Sequence, residues 1–163
     1  MRLKIFFVVL GLSLMSGCTA AVRLYPVQGP LSLRAPVPVF SGRLTGIINS
    51  GGVSFVIGDG EVCKGRWTRV VPVKTANKGA AKVSSPLSEG MPAVWDTVYG
   101  SGYYVAHVLG ATLYAEAAIT GDRGTVLDVE FYRPNPGGEQ VRILGVAKDS
   151  KDNIYKLVLN NQM

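Results

Sequence analysis

The sequence predicts a mainly β domain, built as a single antiparallel β-sandwich or a small β-barrel. Apolar residues alternate with polar or small ones over short segments, which is typical of strands with one buried face. Glycine-rich turn signals separate about seven or eight such segments at intervals of roughly eight to twelve residues. The chain has 163 residues, which is enough for one domain with a sizeable hydrophobic core and too few for two such domains.

The N-terminal segment has the order of a secretory signal. Two basic residues precede an apolar run from Ile5 to Met15, and the small residues Ser16 and Gly17 follow it. A membrane-spanning helix needs about 20 apolar residues, so this run is too short to be one. We therefore expect residues 1–17 to be a signal peptide that is removed.

Cys18 directly follows the small residues, and Met15–Cys18 resembles the lipobox of bacterial lipoproteins. The resemblance implies that Cys18 is acylated and anchors the mature chain to a lipid bilayer. Thr19 stands where an aspartate is associated with retention at the inner membrane in enteric-type lipoproteins. By that analogy, the predicted location is the outer membrane, with the domain facing the periplasm.

The charge of the chain argues against nucleic acid as a partner. The formal net charge is +6, and removal of the signal peptide with Arg2 and Lys4 leaves +4. The remaining basic residues are scattered along the chain and do not form a cluster.

Residues 18–38 contain four prolines, Pro26, Pro30, Pro36 and Pro38. Proline removes a backbone donor and favours extended backbone in the residue before it. This composition predicts a semi-extended tether that follows the lipidated cysteine. The β-rich domain is then expected to cover residues 39–163.

Two hairpins are predicted at the start of this domain. Residues 42–49 and 52–57 flank a turn signal at Asn49–Gly52. A three-residue loop at Gly58–Gly60 then pairs Ile57 with Glu61 and Phe55 with Cys63, since a loop shorter by one residue would mix the two faces. In this register Cys63 and Trp67 face inward.

A flexible insertion is predicted around residues 72–104. Residues 72–90 carry lysines among small residues without an apolar period, and this part is expected to be mobile. Residues 91–104 contain one tryptophan and three tyrosines, and a short helical turn is predicted from Ala93 to Tyr99.

The second half repeats the hairpin pattern. Residues 110–120 and 125–132 flank a loop in which Gly124 takes the left-handed conformation. The predicted inward pairs join small residues to large ones: Ala115 with Phe131, Ala117 with Val129 and Ile119 with Leu127. The same register turns three carboxylates outward: Glu116, Asp128 and Glu130. Two more strands are predicted at 141–148 and 154–159.

Three motifs in these strands resemble those of a group of small bacterial lipoproteins. They are Gly60–Trp67, the hairpin from Thr120 to Phe131, and Gly145–Asp149 together with Asn153–Tyr155. The resemblance implies a shared β-rich domain and carries no known activity.

The residues that could support catalysis are few. His107 is the single histidine, and a hydrolase would have to combine it with Cys63 or a serine, or use the outward carboxylates. Cys63 is predicted to face inward, outward carboxylates on a hairpin are usually solvated, and one histidine with one free cysteine does not make a zinc site. We therefore expect no enzymatic activity, no catalytic residues, no metal and no cofactor.

The aromatic group Trp95, Tyr99, Tyr103 and Tyr104 is the best candidate for a binding surface. Aromatic faces near glycine-rich backbone suit stacking against sugar rings or a partner's apolar surface. The alternative is that they cover the open end of the fold as a satellite core. The sequence thus predicts an envelope lipoprotein with a structural or interaction domain, or alternatively a module that binds a glycan or another cell-envelope polymer.

Overall fold

The computed structural model describes residues 19–47, 49–70, 90–109, 113–134 and 143–160. The predicted signal peptide, Cys18 and almost all of the predicted mobile segment 72–90 lie outside these ranges.

Eight antiparallel strands form a closed barrel, in which each strand pairs with the next along the chain and β8 pairs with β1. The strands are β1 (Thr19–Gln28), β2 (Phe40–Ile47), β3 (Ser50–Ile57), β4 (Glu61–Thr68), β5 (Leu113–Gly121), β6 (Val126–Tyr132), β7 (Leu144–Asp149) and β8 (Ile154–Asn160). The mainly β class is confirmed, and of the two predicted architectures the protein adopts the barrel.

The predicted tether over residues 18–38 is wrong for the part that forms β1. Residues 19–28 pair with β2 on one side and with β8 on the other, so the barrel begins at Thr19. Val22 and Leu24 point inward and are buried. Without β1 the edges of β2 and β8 would expose unpaired backbone groups, and closure removes both edges. Of the four prolines, only Pro26 lies within the strand, beside an irregularity in its pairing with β8.

The predicted registers of two hairpins are confirmed. Phe55 faces Cys63 and Ile57 faces Glu61 across the loop at Gly58–Gly60. In the second hairpin, the three inward pairs of β5 and β6 are those predicted. The turn between β2 and β3 is shorter than predicted, because Ser50 already belongs to β3 and pairs with Ile47.

Side chains fill the barrel interior. Large inward residues lie against glycines and alanines on neighbouring strands, which leaves room for their rings. A Cβ at Gly42 would collide with the ring of Phe55, and one at Gly145 would lie 3.0 Å from a ring atom of Phe131. Because large side chains face small ones in this way, side chains fill the lumen as a hydrophobic core.

A helical segment covers part of the outer wall. Helix α1 (Met91–Tyr99) contacts β7, β8 and β1, and a short π-helix follows at Tyr104–Val108. Met91, Val94 and Trp95 of α1 pack with outward residues of β6, β7 and β8 in a second core cluster. The predicted helical turn is confirmed as a longer helix, whereas the prediction of flexibility is wrong for this part of 72–104.

The barrel has two different ends. Short connections join β3 to β4, β5 to β6 and β7 to β8 at one end, together with residues 29–39 between β1 and β2; we call this the hairpin end. The opposite end carries Thr19, the first residue of β1, and we call it the open end.

Candidate functional site at the hairpin end

Buried polar residues collect at the hairpin end. Four of the five buried polar residues in the described ranges lie there: Glu61, Thr125, Asp149 and Asn153. They come from three connections far apart in the sequence, and only closure of the barrel brings them together.

The carboxylate of Glu61 is at the centre of this group. Its Oε1 accepts hydrogen bonds from the backbone N–H groups of Arg123 and Thr125, at 3.2 and 2.9 Å. Its Oε2 accepts the Thr125 hydroxyl at 2.6 Å and Lys151 Nζ at 3.2 Å. Gly121 makes room for this arrangement, because a Cβ there would collide with the Glu61 carboxylate.

The environment of Glu61 stabilises its charged form. Burial is the largest influence, and by itself it would raise the pKa of the carboxyl. The hydrogen bonds from the side chain and backbone of Thr125, with the hydrogen bond and positive charge of Lys151, outweigh it and lower the pKa from 4.5 to about 2. Glu61 is therefore ionised at neutral pH although only 4% of it is exposed.

A second buried carboxylate, Asp149, orders the turn between β7 and β8. Its Oδ1 accepts the backbone N–H groups of Lys151 and Asn153 at 2.9 and 2.8 Å. Its Oδ2 accepts Asn153 Nδ2 at 2.9 Å and the Tyr155 hydroxyl at 2.6 Å. Asn153 Oδ1 in turn accepts the N–H of Leu31, which ties the β1–β2 connection to this turn.

A cavity of about 280 Å³ opens above these two carboxylates. Residues from all four connections of the hairpin end line it. Those that carry charge are Arg34, Asp59, Glu61, Arg123, Asp149 and Lys151. The floor of the cavity thus carries buried acids held by hydrogen bonds, and its rim carries exposed basic side chains.

The structure separates Cys63 from His107. Cys63 lies fully buried in the barrel core, as predicted, and burial followed by the charges of Glu61 and Asp122 raises its pKa from 9.0 to about 11. His107 is exposed on the covering segment and packs against the Tyr103 ring, with centroids 4.7 Å apart. The two side chains lie on opposite sides of the barrel wall and cannot act together.

The aromatic group forms a core cluster on the outer wall. Trp95 is completely buried, and its ring packs against those of Tyr99 and Tyr103 at centroid distances of 5.5 and 6.3 Å. The predicted binding surface is therefore wrong for Trp95, whose ring no ligand can reach. Tyr99, Tyr103 and Tyr104 keep partly exposed surfaces. The satellite-core alternative describes the packing, although the cluster covers the wall and not an end of the barrel.

The expectation of solvated outward carboxylates is wrong for Glu130. Its side chain does leave the barrel, but helix α1 covers it, and Trp95 Nε1 donates a hydrogen bond to its Oε2 at 2.7 Å. Burial raises the pKa of Glu130, the Trp95 bond opposes this, and the nearby charges of Glu116 and Asp128 raise the pKa further.

The sequence contained a signal for part of the hairpin-end site. The predicted register already paired Glu61 with Ile57 and so turned its side chain inward. Aspartate and asparagine favour turns because their side chains hydrogen-bond nearby groups, and Asp149 and Asn153 do so within the turn between β7 and β8. Nothing local showed that these residues would meet Thr125 and Lys151. Within the described ranges, no three His, Cys, Asp or Glu side chains lie together so that they could hold a metal ion.

Comparison with known proteins gives no further guide: no family model, no curated protein and no solved structure matches the chain. None of the helices that the structure describes is long and apolar enough to cross a membrane.

Proposed function

We propose that this chain is a lipid-anchored protein of the bacterial cell envelope whose barrel is a non-enzymatic interaction domain. The lipobox at Met15–Cys18 supports the anchor. The observation that carries the proposal is that β1 begins at Thr19, the residue after Cys18, so that the acyl group is attached next to the open end of the barrel.

This placement directs the hairpin end away from the membrane. A strand rises about 3.3 Å per residue and tilts against the barrel axis, so strands of this length separate the two ends by about 20 Å. The cavity above Glu61 then faces the periplasm. The absence of aspartate at position 19 supports the outer membrane as the anchoring membrane.

Packing of the lumen supports interaction through the surface. Apolar side chains fill the barrel interior, so a partner has to bind outside it. The separation of Cys63 from His107 supports a non-enzymatic role. A cysteine nucleophile is activated by a nearby base, and His107 is too far from the Cys63 thiol to act as that base. We propose that the partner is a polymer or a protein of the cell envelope.

Replacement of Cys18 tests the anchor, and the chain offers a matched control in its second cysteine. We expect wild type and Cys63→Ala to incorporate radiolabelled palmitate and to fractionate with outer membranes. Cys18→Ala should take up no label and accumulate as unprocessed precursor. Equal labelling of Cys18→Ala and wild type, or the absence of label from wild type, would show that the chain is not a lipoprotein.

A further inference from the structure

The rim of the hairpin-end cavity carries three basic side chains from three different connections. Arg34 belongs to the β1–β2 connection, Arg123 to the β5–β6 loop and Lys151 to the β7–β8 turn. All three are exposed, whereas the floor of the cavity is buried and ordered by Glu61 and Asp149.

The two acids of the floor have no acceptor capacity to offer a ligand. Each Asp149 oxygen accepts two hydrogen bonds, and each Glu61 oxygen also accepts two. A carboxylate accepts about four hydrogen bonds in all. Both groups are therefore saturated by the protein itself, and a ligand that offers donors finds no partner on the floor.

The donors of the rim, in contrast, are largely unused. Lys151 Nζ gives one of its three protons to Glu61. Within the part of the chain that the structure describes, the one ion pair of Arg34 is long, 3.9 Å to Asp59, and Asp59 is 84% exposed. Among the described residues, the guanidinium of Arg123 has no hydrogen-bond or ion-pair partner. An arginine carries five N–H donors, so donors outnumber acceptors among the exposed charged side chains of the cavity.

We propose that this cavity binds a small oxyanion, the carboxylate or phosphate group of a ligand no larger than about one sugar ring. The planar fork of arginine fits both groups with two parallel hydrogen bonds. The volume of about 280 Å³ lies just below the usual range for small-molecule sites, which sets the upper limit of size. The inference deepens the proposed function and depends on it only for the compartment in which the ligand is met.

The carboxylate of Asp59 competes with such a ligand for Arg34. Asp59 lies in the loop Gly58–Gly60, lines the cavity and contacts Arg34. Its carboxylate is the one exposed acid of the lining. Binding of an oxyanion near Arg34 has to overcome its charge, and removal of that charge should tighten binding.

The test is calorimetric titration of the full-length protein, purified in detergent, with inorganic phosphate, glucuronate and, as an uncharged sugar, glucose. We expect millimolar or tighter binding of at least one of the two anions and no binding of glucose. Arg123→Gln should weaken the binding about tenfold, the amount typical of a charged hydrogen bond, and Asp59→Asn should strengthen it.

Arg43→Gln is the matched control, because Arg43 is an exposed arginine of β2 outside the cavity and its loss changes the net charge equally. Phosphate tests for a phosphate ligand and glucuronate for a carboxylate ligand, so the two titrations show which group the cavity binds. No heat with either anion at millimolar concentration, equal binding of glucose, or the same loss in Arg43→Gln as in Arg123→Gln would overturn the proposal. None of these outcomes depends on acylation of Cys18, so the inference and the proposed function fail separately.

Discussion

Two buried glutamates in this barrel experience opposite environments. Glu61 points into the hairpin end and receives four hydrogen bonds, one of them from the Lys151 ammonium. Glu130 lies on the outer wall beneath α1 and receives one hydrogen bond from Trp95, with Glu116 and Asp128 close enough to repel its charge. The pKa is lowered at Glu61 and raised at Glu130.

The difference shows that burial alone does not decide the charge of an acid. Desolvation is the largest influence on both groups and acts in the same direction. Donors decide the outcome, because four of them replace the lost water at Glu61 and one does so at Glu130. The hairpin end is thus a site built for a carboxylate, whereas the outer wall tolerates one because Trp95 needs an acceptor.

Removal of Trp95 should have the largest effect on the packing of the outer wall. We expect Trp95→Ala to lower the free energy of unfolding by about 3–5 kcal/mol, since it deletes a completely buried ring and the hydrogen bond that this ring donates to Glu130. Urea unfolding measures the loss. Trp95→Phe keeps most of the ring and removes the Nε1 donor, so its loss should be smaller. Equal stability of wild type and Trp95→Ala would mean that α1 does not pack on the barrel.

Glu61→Gln is the corresponding test at the hairpin end. It keeps the size of the side chain and removes the charge that pairs with Lys151, and we expect a loss of about 2 kcal/mol at neutral pH. Asp59→Asn, an exposed acid on the preceding loop, is the control and should change stability by less than about 0.5 kcal/mol.

The difference in stability between wild type and Glu61→Gln should also depend on pH. Because folding lowers the pKa of Glu61, its stabilisation is present above pH 4.5 and disappears as the pH falls towards 2. The difference between wild type and Glu61→Gln should therefore shrink over that interval. A difference that stays constant down to pH 2 would contradict the lowered pKa.

The reactivity of Cys63 tests whether its thiol is buried in the barrel core. With its pKa raised to about 11, roughly one thiol in a thousand is ionised at pH 8, and only the thiolate reacts. We expect slow labelling by a thiol reagent in the native protein and fast labelling in urea, and Cys63→Ala should cost about 1 kcal/mol. Rapid native labelling would show that the thiol is accessible.

The smallest expected effect is that of Glu130→Gln. Glutamine keeps an acceptor for Trp95 and removes a poorly solvated charge, so stability at neutral pH should stay within about 0.5 kcal/mol of wild type or rise. Since folding raises the pKa of Glu130, its favourable contribution is complete below pH 4.5 and is lost as the pH rises through the folded-state pKa. The advantage of the variant should therefore grow with pH. A loss as large as that of Glu61→Gln would remove the contrast between the two sites.

The sequence by itself determined the registers of two hairpins. Phe55 faces Cys63 and Ala117 faces Val129 because alternation with a period of two and the glycine at the end of each loop are local properties, readable within about twenty residues. The inward direction of Glu61 follows from the same pairing, since Glu61 faces Ile57.

The tertiary structure alone decided how these local units meet. Residues 19–28 contain Pro26 and precede three further prolines, a composition typical of a tether. They nevertheless form a strand, because β2 and β8 each leave an open edge that β1 pairs with when the barrel closes. Glu130 alternates outward like Asp128, which stays partly exposed, and only the docking of α1 buries it. Glu61 meets Thr125 and Lys151 across separations of 64 and 90 residues, a juxtaposition that arises only when the barrel closes.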